Sequence, residues 1–327
     1  MEHEFLEQGP DVHKSFSHLI RKFAPFMSLF IMALFLSIAS PYFLTVNNLF
    51  NIGLQMAVVA IMAIGQMMVI ISAGIDLSVG SIMAMSGIGT TMLLAEGTPI
   101  FPAILIGLLI GALLGSFAGA LIAWGRIPPF IATLGIMGIA RGAALLVSGA
   151  VAVTGLPDTF NLIAEYRIFG VVPLPVLVVI VLAVIFHIVL TKTVFGRHIF
   201  AIGNNPEAAR LSGVQVAKRL FSLYIINGIL CGFAGILLAS RLSTGQPEAG
   251  RGIELDVIAA CVIGGASLSG GAGTILGAMI GALIMGILRN GCNLLDISEF
   301  WQQIAIGSII IIAVFADQYQ KYKKERV

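Results

Sequence analysis

Apolar residues in this chain come in long unbroken runs, not in the alternation that marks a barrel strand. Ala24 through Ile75 hold no Lys, Arg, Asp or Glu, and Val257 through Leu288 are equally free of charge. A bilayer core of about 30 Å takes about 20 helical residues to cross, so each run is long enough for two spans. The second run folds back at its glycine-rich centre, Ser267 to Gly273. Backbone amides cannot stay unpaired in hydrocarbon, which makes these segments helices. Apolar stretches set against their polar breaks predict ten spans, at roughly 24–43, 53–73, 79–95, 101–124, 130–148, 171–190, 220–240, 253–266, 273–289 and 300–316. The expected fold class is an all-α polytopic membrane protein of about ten transmembrane helices. Its membrane domain covers 24–316, between tails at 1–23 and 317–327.

Composition sharpens this picture. With 58% of residues apolar and 10% charged, the chain carries more apolar surface than one soluble core of 327 residues can hide. A net charge of +2 excludes an electrostatic nucleic-acid partner. The basic residues flank apolar segments, as topology signals do. With the N-terminus inside, thirteen of the eighteen fall on the inner side, only Arg167, Arg241, Arg251 and Arg289 on the outer side, and Arg141 within a span. Both termini are therefore expected in the cytoplasm. The first 23 residues lack the order of a cleavable signal, so the first span is expected to be retained. Cys231, Cys261 and Cys292 are odd in number and far apart, which argues against a disulfide framework.

Two short spans follow similar hexapeptides, Gly74-Ile75-Asp76-Leu77-Ser78-Val79 and Gly252-Ile253-Glu254-Leu255-Asp256-Val257. The first lies on the cytoplasmic side of the expected topology and the second on the outer side. Spans 2–5 and 7–10 then form an inverted repeat, the plan that builds transport sites where half-helices meet; chance resemblance between two glycine-containing breaks is the alternative. Gly107, Gly111, Gly115 and Gly119 recur every four residues, as do Gly277 and Gly281, a spacing that suits close helix packing or, alternatively, a channel lining.

The most polar interior segment, 191–219, carries five of the inner basic residues and is expected to face the cytoplasm. Within it Asn205 suits an N-cap, Pro206 the first helical position, Glu207 the positive end of the helix dipole, and Gly213 the terminus after Ala208, Ala209 and Leu211. Such a helix is a handle for a soluble partner or, alternatively, a solvated connector.

Glu207-Ala208-Ala209 followed by Gly213 resembles the coupling-loop core of permeases in ATP-binding-cassette importers. The segment from Gly196-Arg197-His198 through Asn204-Asn205-Pro206 to Ser212-Gly213-Val214 resembles the ribose-type sugar permease family. That similarity extends to Gly74 through Ser81, Pro129 through Gly135, Glu254 through Ala260 and Ile263 through Leu268, and so spans nearly the whole chain after residue 24. Two features depart from it. The Leu-Pro pair common after the core is absent, since Tyr224 and Ile225 follow Leu223, and the charged N-terminal tail has no counterpart. The resemblance implies a bacterial inner-membrane subunit that pairs with a second permease, docks on an ATPase subunit and receives a monosaccharide from an extracytoplasmic solute-binding protein. It implies no cofactor in this chain: ATP and Mg would be bound by the partner ATPase, and no Gly-x-x-x-x-Gly-Lys-Ser/Thr loop occurs here.

Charges inside the membrane are costly and mark sites or structural pairs. Arg141 either lines a solute path or pairs with Asp76, Glu254 or a backbone carbonyl. Asp76, Ser78 and Asp256 suit both helix caps and a polar path, and Glu254 joins them at the second break. Gln55 and Gln66, eleven residues apart, share one face of span 2 and serve either a path or interhelical bonding. Outside the resemblance, the inverted repeat alone allows an ion-coupled secondary transporter. A membrane-embedded enzyme would need clustered catalytic groups, yet His187 is the only histidine within a span.

Overall fold

A computed structural model describes residues 12–168, 170 and 172–325. The expected N-terminal tail lies outside these through residue 11, as do the last two residues of the C-terminal tail. A helix stands at each of the ten expected spans. These are α1 (Val12–Ala39), α2 (Val46–Ile71), α3 (Val79–Ala95), α4 (Ile100–Ala123), α5 (Pro129–Ser148), α7 (Leu174–Lys192), α10 (Val216–Leu242), α11 (Ile253–Ile263), α12 (Ile275–Leu294) and α13 (Glu299–Glu325). Six of them, α2, α4, α5, α7, α10 and α12, are long and apolar enough to cross a membrane. At about 1.5 Å per residue, the eleven residues of α11 reach only about half way across.

Three helices stand outside the expected spans: α6 (Asp158–Glu165), α8 (Val194–Asn204) and α9 (Pro206–Leu211). A two-residue antiparallel pair, β1 (Arg167–Ile168) and β2 (Val172–Pro173), precedes α7. Helix α1 starts at Val12, inside the expected tail.

The bundle is organised around α2. In its most apolar stretch 83% of residues are buried, against 17–28% in α4, α5 and α7. Those outer helices present Leu109, Leu113, Leu146, Val184 and Ile188 outward, a surface that only lipid or a partner subunit can cover. Helix α10 packs on α2, α3 and α4. Its contact with α4 explains the four-residue glycine spacing: a Cβ on Gly111 would stand 3.1 Å from Gly232 Cα, and one on Gly115 the same distance from Gly228 Cα. The partner glycines Gly228 and Gly232 line the matching face of α10. Gly277 and Gly281 likewise press on the backbone of Gly264 and Ala260, closing α12 onto α11. The stripes are packing surfaces, since a side chain at any of these positions would strike backbone.

Candidate functional site

At the first helix break, Ile70–Ser78 leaves α2 and starts α3 with its polar groups satisfied locally. Asp76 is almost wholly buried, and its Oδ1 accepts from both the backbone N–H and the hydroxyl of Ser78. Its Oδ2 accepts from Asn227 Nδ2 at 2.7 Å, tying the break to the middle of α10. The capping role therefore belongs to Asp76; the Ser78 hydroxyl donates to Asp76 and caps nothing. From α5, Thr133 Oγ1 accepts from the Leu77 N–H at 3.1 Å and donates to the Ile75 carbonyl.

The same helix holds the second break. Arg141, two turns beyond Thr133, donates from Nη1 to the carbonyls of Pro247 at 2.6 Å and Ala249 at 2.9 Å. The two breaks also meet directly. A Cβ on Gly80 would stand 2.6 Å from the Gly250 carbonyl oxygen and 3.0 Å from Glu254 Oε2, so the start of α3 abuts the start of α11. Asp76, Ser78, Arg141 and Glu254 are thus assembled around one junction of two helix starts, with α5 alongside both.

Asp256 stands apart from that junction and caps no helix. It lies in the first turn of α11, its side chain 4% exposed, and its Oδ2 accepts from Arg289 Nη2 at 2.7 Å and Nε at 2.8 Å. Arg289 belongs to α12, which runs to Leu294 and so passes the expected end of its span. Continued as a helix, that segment turns an apparent outer-loop charge inward onto a carboxylate. Gln66 is wholly buried in α2, with no protein partner at either amide atom.

The polar loop folds into two helices where the sequence announced one. Asn205 caps α9 as its type suggests, its Oδ1 accepting from the N–H groups of Glu207 at 3.0 Å and Ala208 at 2.9 Å. Pro206 occupies the first turn. Gly213 ends the helix at φ +85°, where the Val214 N–H returns to the Ala209 carbonyl. Ala209 is buried, while Glu207, Ala208, Arg210 and Leu211 are exposed. Arg210 forks onto both oxygens of Glu207 and holds that carboxyl below its usual range.

Helix α8, which the loop's composition did not disclose, connects this knob to the bundle. A Cβ on Gly203 would overlap the Ile71 carbonyl oxygen and stand 2.7 Å from Gly271 N. The Gly271 N–H in turn donates to that same Ile71 carbonyl at 2.9 Å. Backbone of α8, the end of α2 and the glycine-rich turn before α12 therefore touch at one point. Asn227, Arg289, Gly203 and Gly271 are the members that sequence reasoning missed. The lone asparagine in the apolar run of α10 was a legible signal; the glycines, among 38, were not.

Among known proteins, the chain is similar to the ribose import permease protein RbsC of Bacillus subtilis, at 42% identity over 93% of this chain and 94% of the relative. It is also 38% identical to the D-allose transport system permease protein AlsC of Escherichia coli, over 90% of each chain. To the L-arabinose ABC transporter permease protein AraH of Azospirillum brasilense it is 37% identical over 88% of this chain and 85% of the relative. No solved structure matches it. The family described as branched-chain amino acid transport system / permease component matches residues 48–314, and the chain belongs to that family.

Proposed function

We propose that this chain is the membrane-spanning subunit of an ATP-binding-cassette importer that carries a monosaccharide inward by alternating access. The observation that carries the proposal is the path from α9 to the bundle. An exposed, capped helix is seated on α8, and α8 meets the end of α2 and the turn before α12 backbone to backbone. Backbone contact at a glycine leaves no side chain to yield, so a push on α9 reaches the bundle instead of being absorbed. The printed names of the relatives, which carry ribose, D-allose and L-arabinose, support the sugar assignment.

In this reading an ATPase subunit docks on α8 and α9 and binds ATP and Mg, a second permease subunit covers the lipid-side apolar face in part, and an extracytoplasmic solute-binding protein delivers the sugar. The chain sits in the bacterial inner membrane with both termini cytoplasmic, as the distribution of basic residues requires. Helices α2–α5 and α10–α13 are the two inverted halves, and the meeting of α3 and α11 at Gly80 and Glu254 is what supports that pairing. Alternating access then opens and closes the junction that α5 holds through Thr133 and Arg141.

Reconstitution with the ATPase subunit and binding protein tests this. Uptake of radiolabelled sugar is expected to require ATP and to stop with vanadate, and Gly213→Val is expected to abolish it while membrane insertion stays normal. Uptake that ignores vanadate and collapses only with an ion gradient would overturn the proposal in favour of secondary transport.

A further inference from the structure

Helices α2, α10, α11, α12 and α13 enclose a cavity of about 380 Å³, well away from the junction of α3 with α11. Its polar lining is dense for the interior of a membrane bundle: Gln55, Arg241, Asp256, Arg289, Asn293 and Glu299 all face it. We propose that this cavity is a binding site for a neutral polyhydroxylated solute of monosaccharide size, held within a single subunit. The proposal rests on the importer reading for the solute's class and goes beyond it in placing the site.

Two unserved acceptors carry the argument. Asp256 Oδ1 is buried and has no protein partner, because Arg289 engages only Oδ2. Gln55 Oε1 is also buried without a partner. A buried acceptor left unpaired costs about 1–3 kcal/mol, so two facing one cavity call for donors from whatever fills it. Sugar hydroxyls are such donors, and each also accepts. For that second role the cavity offers Arg241, which has no carboxylate partner among the described residues.

Charge and size narrow the ligand. Asp256 and Arg289 neutralise each other, Arg251 is paired with Glu248 at 3.1 Å, and Arg241 and Glu299 are of opposite sign. The lining is therefore balanced and gives no net pull to an anion or a cation. At the lower end of the range for small-molecule sites, about 300–1,000 Å³, the volume suits one sugar ring better than a disaccharide. The same face of α2 carries Gln66 three turns further on, buried and unpartnered at both amide atoms, so hydrogen-bonding groups continue along the helix beyond the cavity.

Equilibrium binding to the full chain in lipid nanodiscs, without its ATPase, is the test. The probes are radiolabelled D-ribose, D-allose, L-arabinose and D-xylose, with L-leucine and D-ribose 5-phosphate as competitors. At least one sugar is expected to bind, neither competitor is expected to displace it, and Gln55→Leu and Arg241→Met are each expected to weaken it about ten-fold with unchanged melting temperature. Binding of none of the four sugars overturns the proposal, as does equal affinity in both variants. Displacement by leucine or by the phosphate ester overturns the neutral-polyol chemistry. Vanadate-sensitive uptake, measured in parallel, separates the two readings: uptake that persists without cavity binding removes the cavity site alone, whereas ATP-independent uptake removes the importer reading.

Discussion

Replacing Gly203 with valine bears most directly on how force crosses from the polar loop into the bundle. A Cβ there overlaps the Ile71 carbonyl oxygen, stands 2.7 Å from Gly271 N and 2.9 Å from the Ile71 carbonyl carbon, and ordinary contact begins only near 3.4 Å. All three atoms are backbone, so no side chain can rotate away and α8 must withdraw. Overpacking of this kind costs about 1–3 kcal/mol. Withdrawal that disturbs the 2.9 Å bond from Gly271 N–H to the Ile71 carbonyl adds about 1–2 kcal/mol. A total of about 2–5 kcal/mol corresponds to a fall of roughly 5–15 °C in melting temperature for a domain of this size class. The functional consequence is uncoupling. In proteoliposomes with the ATPase subunit, Gly203→Val is expected to leave ATP hydrolysis running while uptake falls to background. Gly307→Val, whose Cβ meets nothing within 4 Å, is the matched control. Normal uptake per ATP in the Gly203 variant would refute the transmission point, and an equal melting temperature would refute the packing calculation.

Other perturbations follow from the same geometry. Asn205→Ala removes the acceptor for two N–H groups of α9 and is expected to weaken that helix by about 1 kcal/mol, read as reduced affinity for the ATPase subunit in pull-down titrations; an unchanged affinity would contradict the cap's role. Arg289→Leu strands the Asp256 carboxylate, and with a side chain only 4% exposed the expected destabilisation is about 3–5 kcal/mol. The double variant Arg289→Leu with Asp256→Leu should recover most of it in thermal unfolding, and failure to recover would rule out the unpaired charge as the cause. Arg210 hydrogen bonds and charge hold the Glu207 carboxyl below its usual value of 4.5. A depressed carboxyl keeps its pair at neutral pH and loses it as pH falls through the lowered value, so Arg210→Ala should move the Glu207 titration, followed by carbon NMR, up toward 4.5.

How much of this was readable in the residues depends on the range of the forces involved. Span positions depend on local hydropathy against a bilayer of known thickness, and a helix stands at each of the ten expected positions, with α3 at 79–95 matching to the residue. The cap at Asn205 and the stop at Gly213 are equally local, because each needs only its own neighbours within four residues. Helix α8 was hidden because its sequence, Val194–Asn204, mixes two glycines with basic and apolar residues and reads as connector.

Long-range pairing was decided by tertiary structure alone. Arg141 had a carboxylate or a backbone carbonyl as candidate partners, and only the approach of 247–249 to α5 selects the carbonyls. Arg289 read as a loop charge until α12 ran past it and turned it onto Asp256, thirty-three positions away. Asp76 offered two acceptors, yet nothing in the chain names Asn227, 151 positions on, as the donor to one of them. Hydrophobic thickness and backbone capping act through the chain's own neighbours and are written in order along it. Which buried polar groups meet depends on how the helices rotate and settle against one another, and no short stretch of sequence carries that rotation.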